Sequence, residues 1–423
     1  MRLGFLDYLR AWVSVETIQL LGMESLREGF WPGLCRLTCN IDWELVPFIS
    51  SFLSPTITDL DLTLPHANNR LLQPTLSLLT HTCRQLRSLR MDVGTFDPLS
   101  SREMGRLIST SRHTLHHIDI RSPTPPDIFP AIFDLPQLQD LILQEPHVPY
   151  RVPLGILPCL RVINFNGENG RNLQQFLRGL PMQSLAEVRI SLGGTIQFSA
   201  LLDPLCAATG TMNILCLSHV GTLDRPSITL LCSFTKIVHL KIDCVCPGDR
   251  LPRPCNVQLT DESILELGTA LPHLHTLNFT PGCRAPCHVT FTSLIYLSRT
   301  CGDLEHLSIR VDFASILNGS EQLNRSSPSV RVNSARPQRA SSGLHSLVVG
   351  KSPLPDIPRR EWVVALALVS IFPSIVSLRS WCAGEMSDKW KEVAGNIPIC
   401  QEIFRITHPQ AAGRRLSTQI WSF

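Results

Sequence analysis

Six side chains of metal-binding type lie close together in the chain: Cys244, Cys246, Cys255, Cys283, Cys287 and His288. Thiolates and imidazoles hold structural zinc, but such sites are built from paired C-x-x-C units. Here the spacings are C-x-C and C-x-x-x-C, in two proline-rich stretches. These residues could meet around a metal or stand apart as loop thiols; the spacing favours the second, and no cofactor is expected. The chain contains no G-x-x-x-x-G-K-[ST], G-x-G-x-x-G, G-x-S-x-G or H-E-x-x-H, so no phosphate loop, nucleophile elbow or zinc-protease helix announces itself. Of its 14 histidines, His116, His117, His239, His273 and His306 fall in or beside a recurring short pattern. An imidazole there reads as a solvated or contact group rather than a base. The residue chemistry points to binding, not to an enzyme.

The pattern is apolar-x-x-apolar-x-apolar. It occurs at Leu34, Ile57, Leu86, Leu115, Leu138, Leu160, Leu185, Met212, Ile237, Leu274, Leu304, Leu344 and Ile375, thirteen times in all. Ten of the intervals lie between 22 and 31 residues, and two stretch to 37 and 40. That is the period of leucine-rich repeats, with insertions in the long intervals. Within each copy the fourth and sixth positions alternate, which is strand periodicity. Helical stretches precede most copies, as at 71–83, 101–111, 260–271 and 291–301. Thr260 is placed to cap its helix, with Asp261 and Glu262 in the first turn. Leu-Pro pairs at 135–136, 157–158, 180–181 and 271–272 end a helix and favour extended entry to the next strand. No unit can bury its own apolar face, but stacked units share one core.

The expected fold is therefore α/β: an irregular leucine-rich-repeat solenoid (horseshoe) with a parallel sheet on the concave face and helices on the convex face. Irregularity is expected because the position three residues past the last apolar one, normally Asn or Cys, is neither in any copy. Residues 34–380 form the solenoid, 1–33 an N-terminal helical cap and 381–423 a C-terminal helical cap. The apolar run Trp362–Leu378 has the length of a marginal membrane span, but Pro373 interrupts it, and a buried helix followed by a strand fits the repeat better.

Charge sharpens the picture. The 423 residues carry a net +3, with 17% charged and 43% hydrophobic. The whole excess falls in 318–343, where Arg325, Arg331, Arg336 and Arg339 meet only Glu321. This serine-rich stretch is expected to be a disordered insertion. The balanced remainder has no field to steer it toward nucleic acid or a membrane surface. Fifteen scattered cysteines behind an N-terminus interrupted by Asp7, Arg10 and Glu16 argue for reduced thiols in cytoplasm or nucleus. Thirty-two prolines argue against long uninterrupted helices.

Repeats of this irregular kind, with P-x-L-x-x-L-x-L strands such as the one from Pro136, resemble the fungal (mushroom-type) F-box/leucine-rich-repeat family. The resemblance covers about 34–380 and implies a substrate receptor of a Skp-cullin-RING ubiquitin ligase, its F-box holding a Skp adaptor and its repeats the protein substrate. Residues 1–33 lack the Leu-Pro opening of an F-box, and Trp12 and Trp31 fall outside its frame. A free-standing repeat scaffold is the alternative.

The positions that would carry recognition are the x residues facing the concave side. They are Arg90, Asp92, His117, Asp119, Arg121, Asn164, Asn166, Glu187 and Arg189, then His239, Lys241, Asp243, Asn278, His306 and Arg310. This stripe of mixed sign suits a protein partner, although ordinary solvated strand faces would look the same. Ile142, Val162 and Ile214 add apolar character, the kind of centre that anchors an interface.

Overall fold

The structure is a computed structural model and describes residues 2–3, 33–40, 49–50, 52–64, 69–145, 157–167, 170–180, 182–192, 198–218, 223–243, 259–279, 288–316, 343–382 and 384–407. The chain divides into two compact units, Met1–Gly194 and Thr195–Phe423.

The first unit contains strands β1 (Arg2–Leu3), β2 (Arg36–Asn40), β3 (Asp59–Thr63), β4 (Ser88–Asp92), β5 (His117–Pro123), β6 (Asp140–Gln144), β7 (Val162–Gly167) and β8 (Glu187–Leu192). Each pairs in parallel with the next in chain order. Parallel neighbours need a crossover, and helices α1 (Asn69–Thr82), α2 (Pro98–Thr110), α3 (Phe129–Phe133) and α4 (Gly170–Arg178) supply four of them. The fourth residues of successive repeats stand in register: Leu37, Leu60, Leu89, Ile118, Leu141, Ile163 and Val188. All are buried, and each such side chain contributes roughly 1.5–3 kcal/mol relative to exposure. Phe129, Phe133, Phe165 and Phe176 join strand to helix, with ring centroids 5.6–6.3 Å apart.

The second unit repeats the scheme with α5 (Phe198–Leu205), β9 (Ile214–Ser218), α6 (Arg225–Leu231), β10 (His239–Asp243), α7 (Asp261–Ala270), β11 (Thr276–Phe279), α8 (Phe291–Thr300), β12 (His306–Ile309), β13 (Ser346–Val348), α9 (Arg360–Ile371), β14 (Ser377–Arg379) and α10 (Glu385–Thr407). Its strands are again parallel and sequential. The apolar run from Trp362 thus resolves into α9 and β14. Among the described residues no helix is long and apolar enough to cross a membrane.

Serines and backbone groups take over where an asparagine ladder would run. Val93 N–H donates to the buried Ser122 hydroxyl at 2.7 Å, and Val311 N–H to buried Ser352 at 2.9 Å. Leu64 N–H reaches the Asp92 carbonyl and Glu145 N–H the Asn166 carbonyl, both at 2.7 Å. At the loop after β4, Gly94 takes φ 61°, a left-handed conformation that favours glycine. Thr260 caps α7 as its sequence predicts, accepting from Ser263 N–H at 3.3 Å. Asp261 then binds the next repeat, accepting from Thr290 N–H at 2.7 Å and from the Thr290 hydroxyl at 2.6 Å.

One element departs from expectation. Prolines predict short helices, yet α10 runs 23 residues with Pro398 inside it. Tertiary contacts hold it: the Trp390 indole donates to the Ser352 carbonyl at 3.0 Å, and the Gln401 amide to Pro373 and Ile375 carbonyls at 3.0 and 2.7 Å. The Gln401 bonds close off backbone at the approach to β14, and the Trp390 bond does so after β13. The repeats, their parallel pairing and the helical crossovers define an α/β leucine-rich-repeat solenoid.

Candidate protein-binding face

Because strand side chains alternate, burying the fourth and sixth positions leaves the third and fifth on the open face of the sheet. In the first unit the fifth positions form one row across the strands: Thr38, Asp61, Arg90, Asp119, Ile142, Asn164 and Arg189. Parallel register places these groups side by side at the strand spacing of ~4.8 Å, within reach of one another.

The row is electrostatically organised. Arg90 sets its Nε 3.2 Å from the Asp119 carboxylate and its Nη1 3.5 Å from Asp61. Arg121 brings Nε to 3.2 and 3.3 Å from the two oxygens of the same Asp119. The Asp119 side chain is only 3% exposed, against 38% for Arg90 and 49% for Arg121. Asp119 is therefore the buried anchor of two arginines rather than a surface contact. Two guanidiniums offset the desolvation of one carboxylate, as a buried charge requires. Arg189 pairs with Glu187 on its own strand. His117 Nδ1 lies 3.5 Å from Asp140. Asp92 and Asn164 are half-buried, Asn166 is exposed, and Asp92 has no ion-pair partner among the described residues.

In the second unit Lys241 pairs with Asp243 at 2.9 Å, and His239 Nδ1 meets the Thr276 hydroxyl at 3.0 Å. The His239 and His275 rings lie 6.2 Å apart. His306 is exposed, Arg310 is half-buried, and the Asn278 side-chain oxygen is buried without a hydrogen-bond partner among the described residues.

Ile142 and Val162 are diagonal neighbours on β6 and β7, half-buried in an otherwise polar face. Ile214 opens β9 in the second unit. Asp61, Asp140, Thr276 and His275 were not singled out from the sequence, although they hold Arg90, His117 and His239 in place. For the first three, the shared offset within the repeat was the signal that could have found them; His275 sits one position earlier.

Three of the described thiols are held protonated by burial. Burial pushes Cys83 up to about 12, and it pushes Cys232 and Cys301 up to about 11, so thiolate is scarce at neutral pH. Among the described residues no group of three or more His, Cys, Asp or Glu could hold a metal ion. Cys244, Cys246, Cys255, Cys283 and Cys287 lie outside the described residues, as does the insertion 318–343 apart from Gly343; His288 is exposed.

Neither a protein-family model nor a curated protein matches the chain. Solved structures do. An internalin (inlF) from Listeria monocytogenes aligns with 12% identity and a TM-score of 0.45, over 90% of this chain and 98% of that one. The yeast Rad7 and Elc1 complex aligns with 15% identity and a TM-score of 0.45, over 82% and 84%. A third likeness is LegL7, a leucine-rich-repeat-containing protein from Legionella pneumophila, at 14% identity and a TM-score of 0.28, over 85% and 89%.

Proposed function

We propose that this protein is a non-catalytic recognition module that binds a protein partner on the open sheet face of its repeats. One observation carries the reading: polar and charged side chains from consecutive strands stand in register and are fixed by ion pairs around Ile142 and Val162. Pre-ordered side chains lose less entropy on binding, and an apolar centre within a polar surround is how protein interfaces are built. The finer reading is that the partner is a substrate delivered to a Skp-cullin-RING ubiquitin ligase in cytoplasm or nucleus. It rests on the family resemblance of the repeats. The free thiols of the ten described cysteines are consistent with a reducing compartment.

Two measurements separate the levels. Affinity capture with the native chain, with Arg189→Glu and with Lys241→Glu tests the face: the variants should lose a partner that the native chain retains. Co-purification of the tagged chain with a Skp adaptor tests ligase attachment. Recovery of a partner without an adaptor would leave the free-standing scaffold.

A further inference from the structure

We infer that the sheet face of the first unit takes a basic, extended peptide segment carrying an aliphatic or aromatic anchor. The inference deepens the protein-binding reading and rests on it. On the open positions of β2–β8, six carboxylates stand against four guanidiniums. The balance matters less than its distribution. Three of the four guanidiniums are engaged: Arg90 and Arg121 are turned onto Asp119, and Arg189 onto Glu187, while Arg36 on β2 is exposed beside Asp59. An incoming anion would have to displace a carboxylate from these pairs. Beside the apolar pair a cation meets no such competition: among the described residues Asp92 has no ion-pair partner, and Asp59, in register with Arg36, accepts from the neighbouring Thr58 hydroxyl at 2.8 Å. Charge complementarity therefore selects lysine or arginine.

The apolar pair fixes the spacing. Asp92 lies on β4 and Ile142 on β6, two strands away. Ile142 stands in register with Asp119 and Arg90, and Asp92 lies two residues beyond Arg90; at ~4.8 Å per strand and ~3.3 Å per residue the diagonal is roughly 12 Å, or three to four residues of extended chain. The fitting segment therefore carries a basic residue about three to four positions from an apolar one. The anchor would sit over Ile142 and Val162, and the basic group at Asp92.

Two fluorescein-labelled peptides test this against the full chain by anisotropy. One has the order Ser-Arg-Ser-Arg-Gly-Ser-Leu-Leu-Ser; the other replaces both arginines with glutamate. The arginine peptide should bind and weaken with added salt, and the glutamate peptide should not bind. The pair Asp59→Asn and Asp92→Asn, which keeps side-chain size, should reduce affinity at least fivefold, as should Ile142→Ser. A thermal melt of each variant establishes that it folds. Equal affinity for the two peptides, preference for glutamate, binding of neither, or indifference to the Asp59 and Asp92 changes would overturn the inference. Photocrosslinking of a protein partner from Asn164 would in that case still uphold the broader reading; loss of that crosslink as well would end both.

Discussion

At the start of α2, Asp97 accepts hydrogen bonds from Leu99 N–H at 2.8 Å, Ser100 N–H at 2.9 Å and the Ser100 hydroxyl at 2.9 Å. Burial alone would raise this carboxyl; the Ser100 and Leu99 hydrogen bonds outweigh it and hold the group below its ordinary value. A carboxyl lowered in the folded state stabilises above its unfolded pKa, and that contribution drains away as pH falls through the folded value. Replacing Asp97→Ala should cost about 1 kcal/mol at neutral pH, measured by urea unfolding, and the difference from native should shrink below about pH 4. Asp119 makes a second prediction. Asp119→Ala removes the shared partner of Arg90 and Arg121 and should destabilise by about 1–3 kcal/mol, whereas Arg121→Ala, exposed and singly paired, should cost under about 1 kcal/mol. Asp119 also marks a limit of sequence reading. Periodicity puts it on the open side of the strand, but its depth beneath Arg90 of the neighbouring strand and Arg121 of its own depends on how those side chains fold over it, which no spacing within one repeat reveals.

At the level of elements, legibility follows the strength of the period. The fourth and sixth positions of twelve repeats are buried as the alternation requires, and only the last, with Leu378 half-exposed, is loose. The helix expected over 71–83 occupies Asn69–Thr82, and the one over 101–111 begins at Pro98 because Asp97 caps it. What the sequence concealed was the unbroken 23-residue length of α10 through Pro398, held by Trp390 and Gln401 through contacts to backbone 26–38 residues away, a term that local propensity does not contain. Leu215→Asp tests the stacked core. Leu215 is fully buried and in register with Leu240, so an unpaired carboxylate there should destabilise the second unit by at least about 3 kcal/mol. Arg189→Glu, on an exposed strand position, should change stability by under about 0.5 kcal/mol. Denaturant midpoints of the two variants distinguish core from face.

For the molecule as a whole, the claim is that recognition belongs to the strands and scaffolding to the helices. The fold class was readable from thirteen repeats, whereas the ion-pair pattern that pre-orders the candidate face emerged only once registers placed Asp61 beside Arg90 and Asp140 beside His117. Composition alone showed a balanced charge; it could not show that three of the four arginines on the first unit's face, Arg90, Arg121 and Arg189, are already paired with carboxylates. The most direct measurement is site-specific photocrosslinking in a lysate of the native host. A photoreactive side chain would be introduced singly at Asn164 or Lys241 on the strands, and at Arg106 or Glu266 on helices. The account predicts a discrete protein adduct from at least one strand position and none from the helix positions. Adducts formed only from Arg106 or Glu266, with Asn164 and Lys241 silent, would contradict it.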